Sequence, residues 1–382
     1  MSEPRIAIVS PGVGLVQRGY ERLFSDLFQL MRDEFNITLL KGAGPRKADE
    51  KVPLFFHRNS AIVRALPVHK LFRRTPYHSE CMMFALGLLR YLRGRQFDIV
   101  HAIDPPLIRV LYRLRARLGL SFTLLHTEAA GTAPSDYPPA DHTQQCAPYW
   151  MEKAIAYGYV PQAMTMIPLG HYPERFETPL DRVALRRSYG IPQDKFVILS
   201  VAAINRRGKR TDYLIDEAAG LDGDWLLMLD GSLDHGDPDL PAYARRKLGD
   251  RVRISQVASE KVGELYKLAD VMVHAATFEP FGLSLIEAAS TGLPLITHNG
   301  EHFRWLIPNP ACWIDAQQPG TLTQKLQLVM RDPAALAAMR SAHLTRERFS
   351  WRTLKSEYGA LYRHVAALPR HGVAEADCRR VA

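Results

Sequence analysis

The stretch VMVHAATFEPFGLSLIEAASTGLPLIT, residues 271–297, holds two apolar runs separated by a turn and a helix-forming segment. The runs at 271–274 and 294–297 predict two strands, and the Pro-Phe-Gly turn between them predicts the start of a connecting helix. A strand, a helix and a strand in this order are typical of a parallel sheet. The stretch therefore predicts one unit of a doubly wound α/β sheet, whose loop lies at the edge where such sheets bind ligands.

Units of the same kind run through the rest of the chain. The first is the run RIAIVS at residues 5–10, followed by a Pro/Gly turn at 11–14 and a helical pattern. Further apolar runs alternate with amphipathic stretches, which favours a parallel sheet in each half. The predicted strands are residues 5–10, 35–40, 98–101 and 122–126 in the first half, and 196–202, 225–229, 252–255, 271–274 and 294–297 in the second. Glycine and proline punctuate the junction near residues 170–176, so we predict Rossmann-like α/β domains at 1–170 and 171–350.

The composition is that of a globular protein of two domains, with 382 residues, of which 47% are hydrophobic. No apolar stretch reaches the roughly 18 residues of a spanning helix, and no signal-peptide pattern precedes the first strand, so we expect a cytoplasmic protein. The cysteines lie far apart without C-x-x-C spacing, which argues against structural zinc and disulfides. The predicted free thiols are Cys81, Cys146, Cys312 and Cys378.

Positive charge is concentrated in residues 58–95, within a chain of net charge +9. Eight basic residues stand there against one acid, Glu80: Arg58, Arg64, Lys70, Arg73, Arg74, Arg90, Arg93 and Arg95. Nucleic acid is disfavoured, because no aromatic-basic or helix-turn-helix pattern accompanies the charge. Peripheral contact with the inner face of a membrane, an anionic acceptor, or a solvated basic face remain open.

Two carboxylates carry the candidate chemistry. Glu279 is predicted at the carboxyl end of a strand, and Glu287 lies about a turn and a half inside the next helix. Gly282 lets the backbone approach a ligand closely, and amide groups at a helix start suit a phosphate or a hydroxyl. Two glutamates can accept hydrogen bonds from paired hydroxyls, such as those of a ribose and a hexose.

The segment EPFGLSLIEA, residues 279–288, closely resembles the paired-glutamate motif of the retaining glycosyltransferases of family four. Other segments resemble the same family in order: residues 166–176 its inter-domain strand and linker, 185–202 the start of its second domain, 263–270 the segment before the motif, and 349–358 its closing helix. The resemblance implies the GT-B fold, two Rossmann-like domains with parallel sheets facing a central cleft. It further implies a closing helix at 351–370 that packs back toward the N-terminal domain. From the sequence pattern itself we predict a flexible tail at 371–382.

The resemblance also implies roles for residues of the second domain. Glu287 would bind the ribose hydroxyls of a nucleotide diphosphate sugar, and Lys209 would neutralise the diphosphate, whose charge grows as the glycosidic bond breaks. The hydroxyls of the donor sugar would be bound by Glu279 and by the backbone of Phe281, Gly282 and Leu283. Family members commonly have Gly-Arg after the first strand of this domain, whereas this chain has Ala202-Ala203-Ile204-Asn205. A second cation would then come from Arg206, Arg207 or Arg210, or be absent.

In the first domain, His126 matches the position of the family's active-site histidine, and His101 is the alternative. Gly12 and Gly14 resemble the family's first glycine loop, whose backbone can lie against the diphosphate. Asp104 is a candidate acceptor contact, although a residue before Pro-Pro is more often a turn former.

The mechanism implied is metal-independent transfer with retention, by front-face attack without a side-chain nucleophile or a further cofactor. The donor is a UDP-sugar or GDP-sugar, and the hydroxyl acceptor is lipid-linked, a polysaccharide or a small molecule. A dehydrogenase is disfavoured, since Gln17 stands where its third glycine is needed. A sugar-nucleotide epimerase and a binding protein without turnover remain alternatives.

Overall fold

The computed structural model describes residues 3–15, 19–53 and 75–369, which form two compact units. The first unit contains the described residues up to Leu169 and those from Leu354 onward, and the second is Gly170–Thr353. Each unit contains one sheet in which the paired strands are parallel, so the α/β fold class predicted from the sequence is confirmed.

The first unit has a seven-stranded sheet in the order β3-β2-β1-β4-β5-β6-β7. Its strands are β1 (Arg5–Ser10), β2 (Asn36–Lys41), β3 (Glu50–Lys51), β4 (Ile99–Ala102), β5 (Thr123–Glu128), β6 (His142–Gln145) and β7 (Met164–Met166). Its helices are α1 (Gly19–Met31), α2 (Pro76–Leu92), α3 (Pro105–Arg117) and α4 (Pro148–Ala156). Residues of β1, β4 and β5 form one buried core with α2 and α3, as expected for a parallel sheet covered by helices.

The second unit has a six-stranded sheet in the order β10-β9-β8-β11-β12-β13. Its strands are β8 (Phe196–Val201), β9 (Trp225–Asp230), β10 (Val252–Ser255), β11 (Val271–His274), β12 (Leu295–His298) and β13 (Trp313–Ile314). Its helices are α5 (Arg182–Ser188), α6 (Thr211–Ala219), α7 (Leu240–Leu248), α8 (Val262–Leu268), α9 (Leu283–Ser290), α10 (Glu301–Leu306), α11 (Thr321–Arg331), α12 (Pro333–Ala338) and α13 (Ala342–Thr345).

The strand order reverses once in each sheet. In the first unit the reversal lies between β1 and β4, and in the second it lies between β8 and β11. Open parallel sheets bind ligands at the carboxyl ends of the strands beside such a reversal. A ligand site in the second unit is therefore expected at the loops that follow β8 and β11.

The last helix, α14 (Trp351–Ala367), begins in the second unit and joins the first from Leu354 onward. Within the first unit, its Tyr362 hydroxyl lies 3.0 Å from His101 Nδ1, and Gln144 Nε2 donates to its Tyr358 hydroxyl over 2.7 Å. These bonds connect the helix to a buried side chain of β4 and to one of β6.

Some sequence predictions fall on parts of the chain that lie outside the described residues. These are Arg58, Arg64, Lys70, Arg73, Arg74, Cys378 and the tail at 371–382. Cys81, Cys146 and Cys312 are buried free thiols. Across the described ranges, no helix is both long and apolar enough to cross a membrane.

Candidate functional site

The loop between β11 and α9 places Glu279 beside two basic side chains. His274 Nε2, at the end of β11, donates to Glu279 Oε2 over 2.9 Å, and Lys209 Nζ pairs with the same oxygen. Only 10% of the Glu279 side chain is exposed. Within the part of the chain that the structure describes, Oε1 has no hydrogen-bond partner, so one oxygen is held and the other is left for a ligand.

Lys209 reaches this point from the loop after β8. The Asn205 side chain accepts hydrogen bonds from the amides of Gly208 and Lys209, at 3.0 and 2.8 Å. The next residue, Arg210, has a left-handed backbone with φ of 51° and leads directly into α6. The turn is thus fixed by local hydrogen bonds, and because β8 and β11 are neighbours it carries Lys209 to Glu279.

The charges around Glu279 decide its ionisation. Burial alone would raise the pKa of the Glu279 carboxyl, but the hydrogen bond from His274 and the charge of Lys209 outweigh burial and lower the pKa to about 2. Glu279 is therefore an anion at every physiological pH, and His274 acts as the hydrogen-bond donor.

Gly282 allows the turn that starts α9. Its φ is 103°, in the left-handed region, and an added Cβ would lie 2.8 Å from Leu306 Cδ2. The Gly282 carbonyl accepts from the amide of Leu285 over 3.0 Å, so the hydrogen bonding of the helix begins at Gly282. The amides that precede Leu285 have no carbonyl partner within the helix. His302 Nε2 donates to the carbonyl of the buried Phe281 over 2.8 Å and so holds the approach to the helix. Leu283 is the first residue of α9.

Glu287 projects from the middle of α9 and is 9% exposed. The Tyr266 hydroxyl, on α8, donates to Glu287 Oε2 over 3.2 Å. The loop and first turns of α9 thus carry both glutamates of the predicted pair, one held by basic groups and one by a tyrosine hydroxyl.

The three arginines beside Lys209 have different surroundings. Arg206 bonds to Asp237 at 2.8 Å and to Asp239 at 2.6 Å, so two carboxylates already engage its guanidinium. Arg210 donates to the Ala316 carbonyl over 2.6 Å. Arg207 is exposed and forms no ion pair with any residue in the described ranges. Arg207 is therefore the arginine of this loop whose guanidinium has neither a carboxylate nor a carbonyl partner among the described residues.

The glycine loop of the first unit follows β1, at the reversal of that sheet. Gly14 has a φ of 83°, and an added Cβ there would overlap the Ala43 carbonyl. An added Cβ at Gly12 would overlap the Glu21 carboxylate. Close packing within the unit therefore explains both glycines without a ligand.

The two histidines of the first unit differ in their bonding. His101 is buried and bonded through both ring nitrogens, at 2.7 Å to the Thr127 hydroxyl and 3.0 Å to Tyr362, which is the environment of a structural residue. His126 lies inside β5, two residues before the strand ends, and is fully buried. Neither of its ring nitrogens has a hydrogen-bond partner among the described residues.

Asp104 precedes α3 and lies beside β1. Its Oδ1 accepts from the Tyr77 hydroxyl over 2.7 Å, and its Oδ2 accepts from Ser10 over 3.2 Å. Burial raises the pKa of the Asp104 carboxyl to about 6, although these two hydrogen bonds oppose the rise. Its hydrogen bonds join the start of α3 to α2 and to the end of β1.

Sequence reasoning missed His274 and Asn205. His274 looked like the last residue of an apolar strand, and its proximity to Glu279 depends on a loop that reverses over five residues. The role of Asn205 could have been predicted from the sequence. An asparagine in a glycine-containing loop, here four residues before Lys209, is typical of a side chain that caps a turn. Among the residues described, no group of three His, Cys, Asp or Glu side chains could hold a metal ion.

Residues 181–345, which lie within the second unit, match the family model described as Glycosyl transferases group 1. D-inositol 3-phosphate glycosyltransferase from Mycolicibacterium smegmatis is 29% identical over 182 residues, which cover 46% of this chain and 41% of that protein. Mannosylfructose-phosphate synthase from Agrobacterium fabrum is 27% identical over 235 residues, or 56% of this chain and 50% of that protein. The chain thus spans about half the length of the curated relatives it matches.

Solved structures share the fold over nearly the whole chain. Sucrose-phosphate synthase from Thermosynechococcus elongatus has a TM-score of 0.75 at 21% identity, covering 95% of this chain and 99% of the other. The Anabaena protein HepE, solved with UDP-glucose, has a TM-score of 0.73 at 15% identity, covering 94% and 99%. These structures confirm the predicted GT-B fold, and the match of residues 181–345 to the group 1 model supports the resemblance to glycosyltransferases of this kind, while the roles of single residues stay predictions.

Proposed function

We propose that this chain, whose residues 181–345 match the glycosyl transferases group 1 model, moves a hexose from a nucleotide diphosphate sugar to an acceptor hydroxyl, with retention and without a metal ion. The observation that carries the proposal is the junction of Lys209, His274 and Glu279 where the order of the second sheet reverses. It presents an anion, a cation and the amide end of a helix at one sheet edge. A sugar diphosphate needs all three.

The donor-binding roles follow from what each group can offer. Glu279 Oε1 accepts a hydroxyl of the sugar, while Oε2 stays bonded to His274 and Lys209. The backbone from Phe281 to Leu283 adds amide donors, since these residues form the start of α9. Glu287, one turn further along, accepts from the ribose hydroxyls. Lys209, whose side chain is 24% exposed, keeps enough open surface to contact the diphosphate as well.

Transfer breaks the bond between the anomeric carbon and the β-phosphate oxygen, and the electron pair stays on that oxygen. The acceptor oxygen bonds to the anomeric carbon on the same face, and its proton passes to the leaving phosphate. Lys209 stabilises the charge that develops on the phosphate. A carboxylate whose pKa is held at about 2 by two basic neighbours is a weak nucleophile, which supports a positioning role for Glu279 over a covalent one.

Relatives indicate the substrate class. HepE was solved with UDP-glucose, and several curated relatives are named D-inositol 3-phosphate glycosyltransferase. Both names fit a nucleotide-sugar donor, which we propose to be a UDP-sugar or a GDP-sugar. The proposed acceptor is a hydroxyl of a lipid-linked sugar, a polysaccharide or a small molecule.

From the first unit, His126 is proposed to act on the reacting sugar, and the Gly12 and Gly14 loop to lie against the diphosphate. The bare ring nitrogens of His126 support its role, because a buried imidazole without hydrogen bonds gains one from a ligand.

One structural feature favours the alternative of a binding protein without turnover. The Gly-Arg of the family is replaced by Ala202-Ala203, and Arg206 is engaged by Asp237 and Asp239. If Lys209 alone cannot stabilise the leaving group, the donor binds but does not react.

The test is a screen of UDP-sugars and GDP-sugars by calorimetry and by slow donor hydrolysis, with wild type, Glu279→Gln and Glu287→Ala. We expect the wild type to bind and hydrolyse one of these donors. Glu279→Gln and Glu287→Ala should each lose either donor binding or donor hydrolysis. The matched control is Glu260→Gln, an exposed glutamate of the same unit. Binding without hydrolysis, and without transfer to any acceptor tried, would establish the alternative. An epimerised sugar as the product would refute transfer.

A cytoplasmic location with peripheral membrane contact through residues 58–95 is also proposed. The described part of this region adds support, because Met82, Leu86 and Arg90 are exposed on α2 while the one acid, Glu80, is buried. Sedimentation with vesicles that contain anionic lipid tests the contact, and equal binding to neutral vesicles would contradict a charge-based interaction.

A further inference from the structure

The end of β5 buries polar atoms that have no hydrogen-bond partner within the described residues. They are both ring nitrogens of His126 and the Oε2 oxygen of Glu128. The two side chains are 0% and 1% exposed, and His126 Nε2 lies 3.7 Å from Glu128 Oε2. Leaving buried polar atoms without partners costs about 1–3 kcal/mol for each group. Two such groups side by side at the end of one strand point to a functional role.

The backbone after β5 holds the other oxygen of the Glu128 carboxyl. Glu128 Oε1 accepts from the amide of Ala130 over 2.9 Å and from the amide of Thr132 over 3.2 Å. Residues two apart on a strand project to the same face, so Glu128 faces the same layer as His126. One oxygen is thus fixed by the loop, and the other is directed at the imidazole.

We propose that Glu128 is the positioning residue for His126, a role that rests on the function proposed for His126. Glu128 Oε2 accepts the Nε2–H of the imidazole, which fixes the ring orientation and the tautomer. His126 Nδ1 then carries no proton and serves as a hydrogen-bond acceptor for a substrate hydroxyl. A carboxylate that orients a histidine in this way is a recurring device in enzymes.

The separation of 3.7 Å is longer than a hydrogen bond, and a shift of less than 1 Å would close it. Hydrogen bonds between catalytic groups are often long in the free enzyme and shorten when the substrate binds. Burial lowers the pKa of His126 to about 3 and raises the pKa of Glu128 to about 7, so the proposed role belongs to the carboxylate form of Glu128, which predominates above pH 7. The His126 imidazole is therefore neutral and carries one proton, on either Nδ1 or Nε2. A hydrogen bond to Glu128 can determine which nitrogen carries it.

The test is a double-mutant cycle on the full chain, scored by kcat/KM for donor hydrolysis. Glu128→Gln keeps an oxygen for the loop amides but presents a donor to Nε2 instead of an acceptor. We expect it to lower kcat/KM by roughly tenfold to hundredfold in the wild-type background. We expect no further loss in the His126→Ala background. Glu152→Gln, an exposed glutamate of the first unit, is the control.

Nitrogen NMR of the His126 ring supplies a readout that does not depend on activity. The wild type should show the Nε2–H tautomer, and Glu128→Gln should shift the ring toward Nδ1–H. An unchanged tautomer, or an equal fold-loss from Glu128→Gln in both backgrounds, would overturn the proposal. If no donor is hydrolysed, the proposed transferase function is contradicted. The positioning role of Glu128 is then tested by the tautomer measurement alone.

Discussion

Replacing Glu279 by Gln should flatten the dependence of stability on acid pH. The carboxyl has a pKa of about 2 in the folded chain, against an ordinary value of 4.5. At about 1.36 kcal/mol per pKa unit, this difference corresponds to about 3 kcal/mol at neutral pH. Because the folded-state pKa is lowered, the contribution is fully present above the unfolded value and is lost as the pH falls through the folded value. About 2 kcal/mol should disappear between pH 7 and pH 3.

The assay is urea unfolding followed by tryptophan fluorescence. Four of the five tryptophans, Trp225, Trp305, Trp313 and Trp351, lie in the second unit, so the signal reports chiefly on the unit that contains Glu279. Wild type should lose about 2 kcal/mol more than Glu279→Gln between the two pH values. Glu260→Gln, which changes an exposed glutamate, should follow the wild type. Parallel losses in wild type and Glu279→Gln would refute the electrostatic account of this site.

Four further outcomes test the site. Lys209→Ala should lower kcat by about 10²-fold or more because a leaving-group cation is removed, and equal rates would disprove that role. Glu287→Ala should raise the donor KM with kcat nearly unchanged, as steady-state kinetics will show, since the ribose is bound equally in ground and transition states. Gly282→Ala should lower the free energy of unfolding by about 1–3 kcal/mol, because the φ of Gly282 is 103°. Gly208→Ala, at an exposed turn without positive φ, should lower the free energy of unfolding by less. Activity should survive EDTA, and a loss that magnesium restores would contradict the metal-independent mechanism.

The sheet strands that are buried on both faces were the predictable part of the fold. The largely buried strands β1 and β11 have the predicted bounds, and so does the partly exposed β10. The other predicted strands differ by one or two residues at one or both ends. Central parallel strands consist of continuous apolar runs, which are visible in the sequence. This property, together with the order of the runs, was sufficient to predict the α/β class.

Strand β6 could not be found in this way. Its sequence is HTQQ, yet all four residues are buried. Gln144 donates to the Tyr358 hydroxyl over 2.7 Å and to the Ile167 carbonyl over 2.9 Å. These partners lie 214 and 23 residues away along the chain, so no local pattern indicates that polar side chains could be buried here.

The candidate site was predictable only in its local part. The spacing of Glu279, Gly282 and Glu287 along one loop and helix is a property of the sequence. The pairing of Lys209 with Glu279 spans 70 residues and exists because β8 and β11 are neighbours in the sheet. The family resemblance implied that Lys209 neutralises the diphosphate. It did not imply that Lys209 also pairs with the Glu279 carboxylate.

The loop after β8 shows what stands in this chain at the place where the family resemblance predicts Gly-Arg. The amide of Ala202 donates to the Asp230 carbonyl, so strand-like pairing continues beyond β8, and an added Cβ at Gly231 would overlap the Ala202 carbonyl. The turn therefore starts later, at Asn205, whose side chain fixes the amide of Lys209 over 2.8 Å. Arg206 is drawn to acidic partners on the neighbouring loop. The turn brings Lys209 to Glu279, whereas Arg206 is already paired with two carboxylates. We therefore expect that substituting Lys209 separates a transferase from a binding protein more sharply than substituting Arg206.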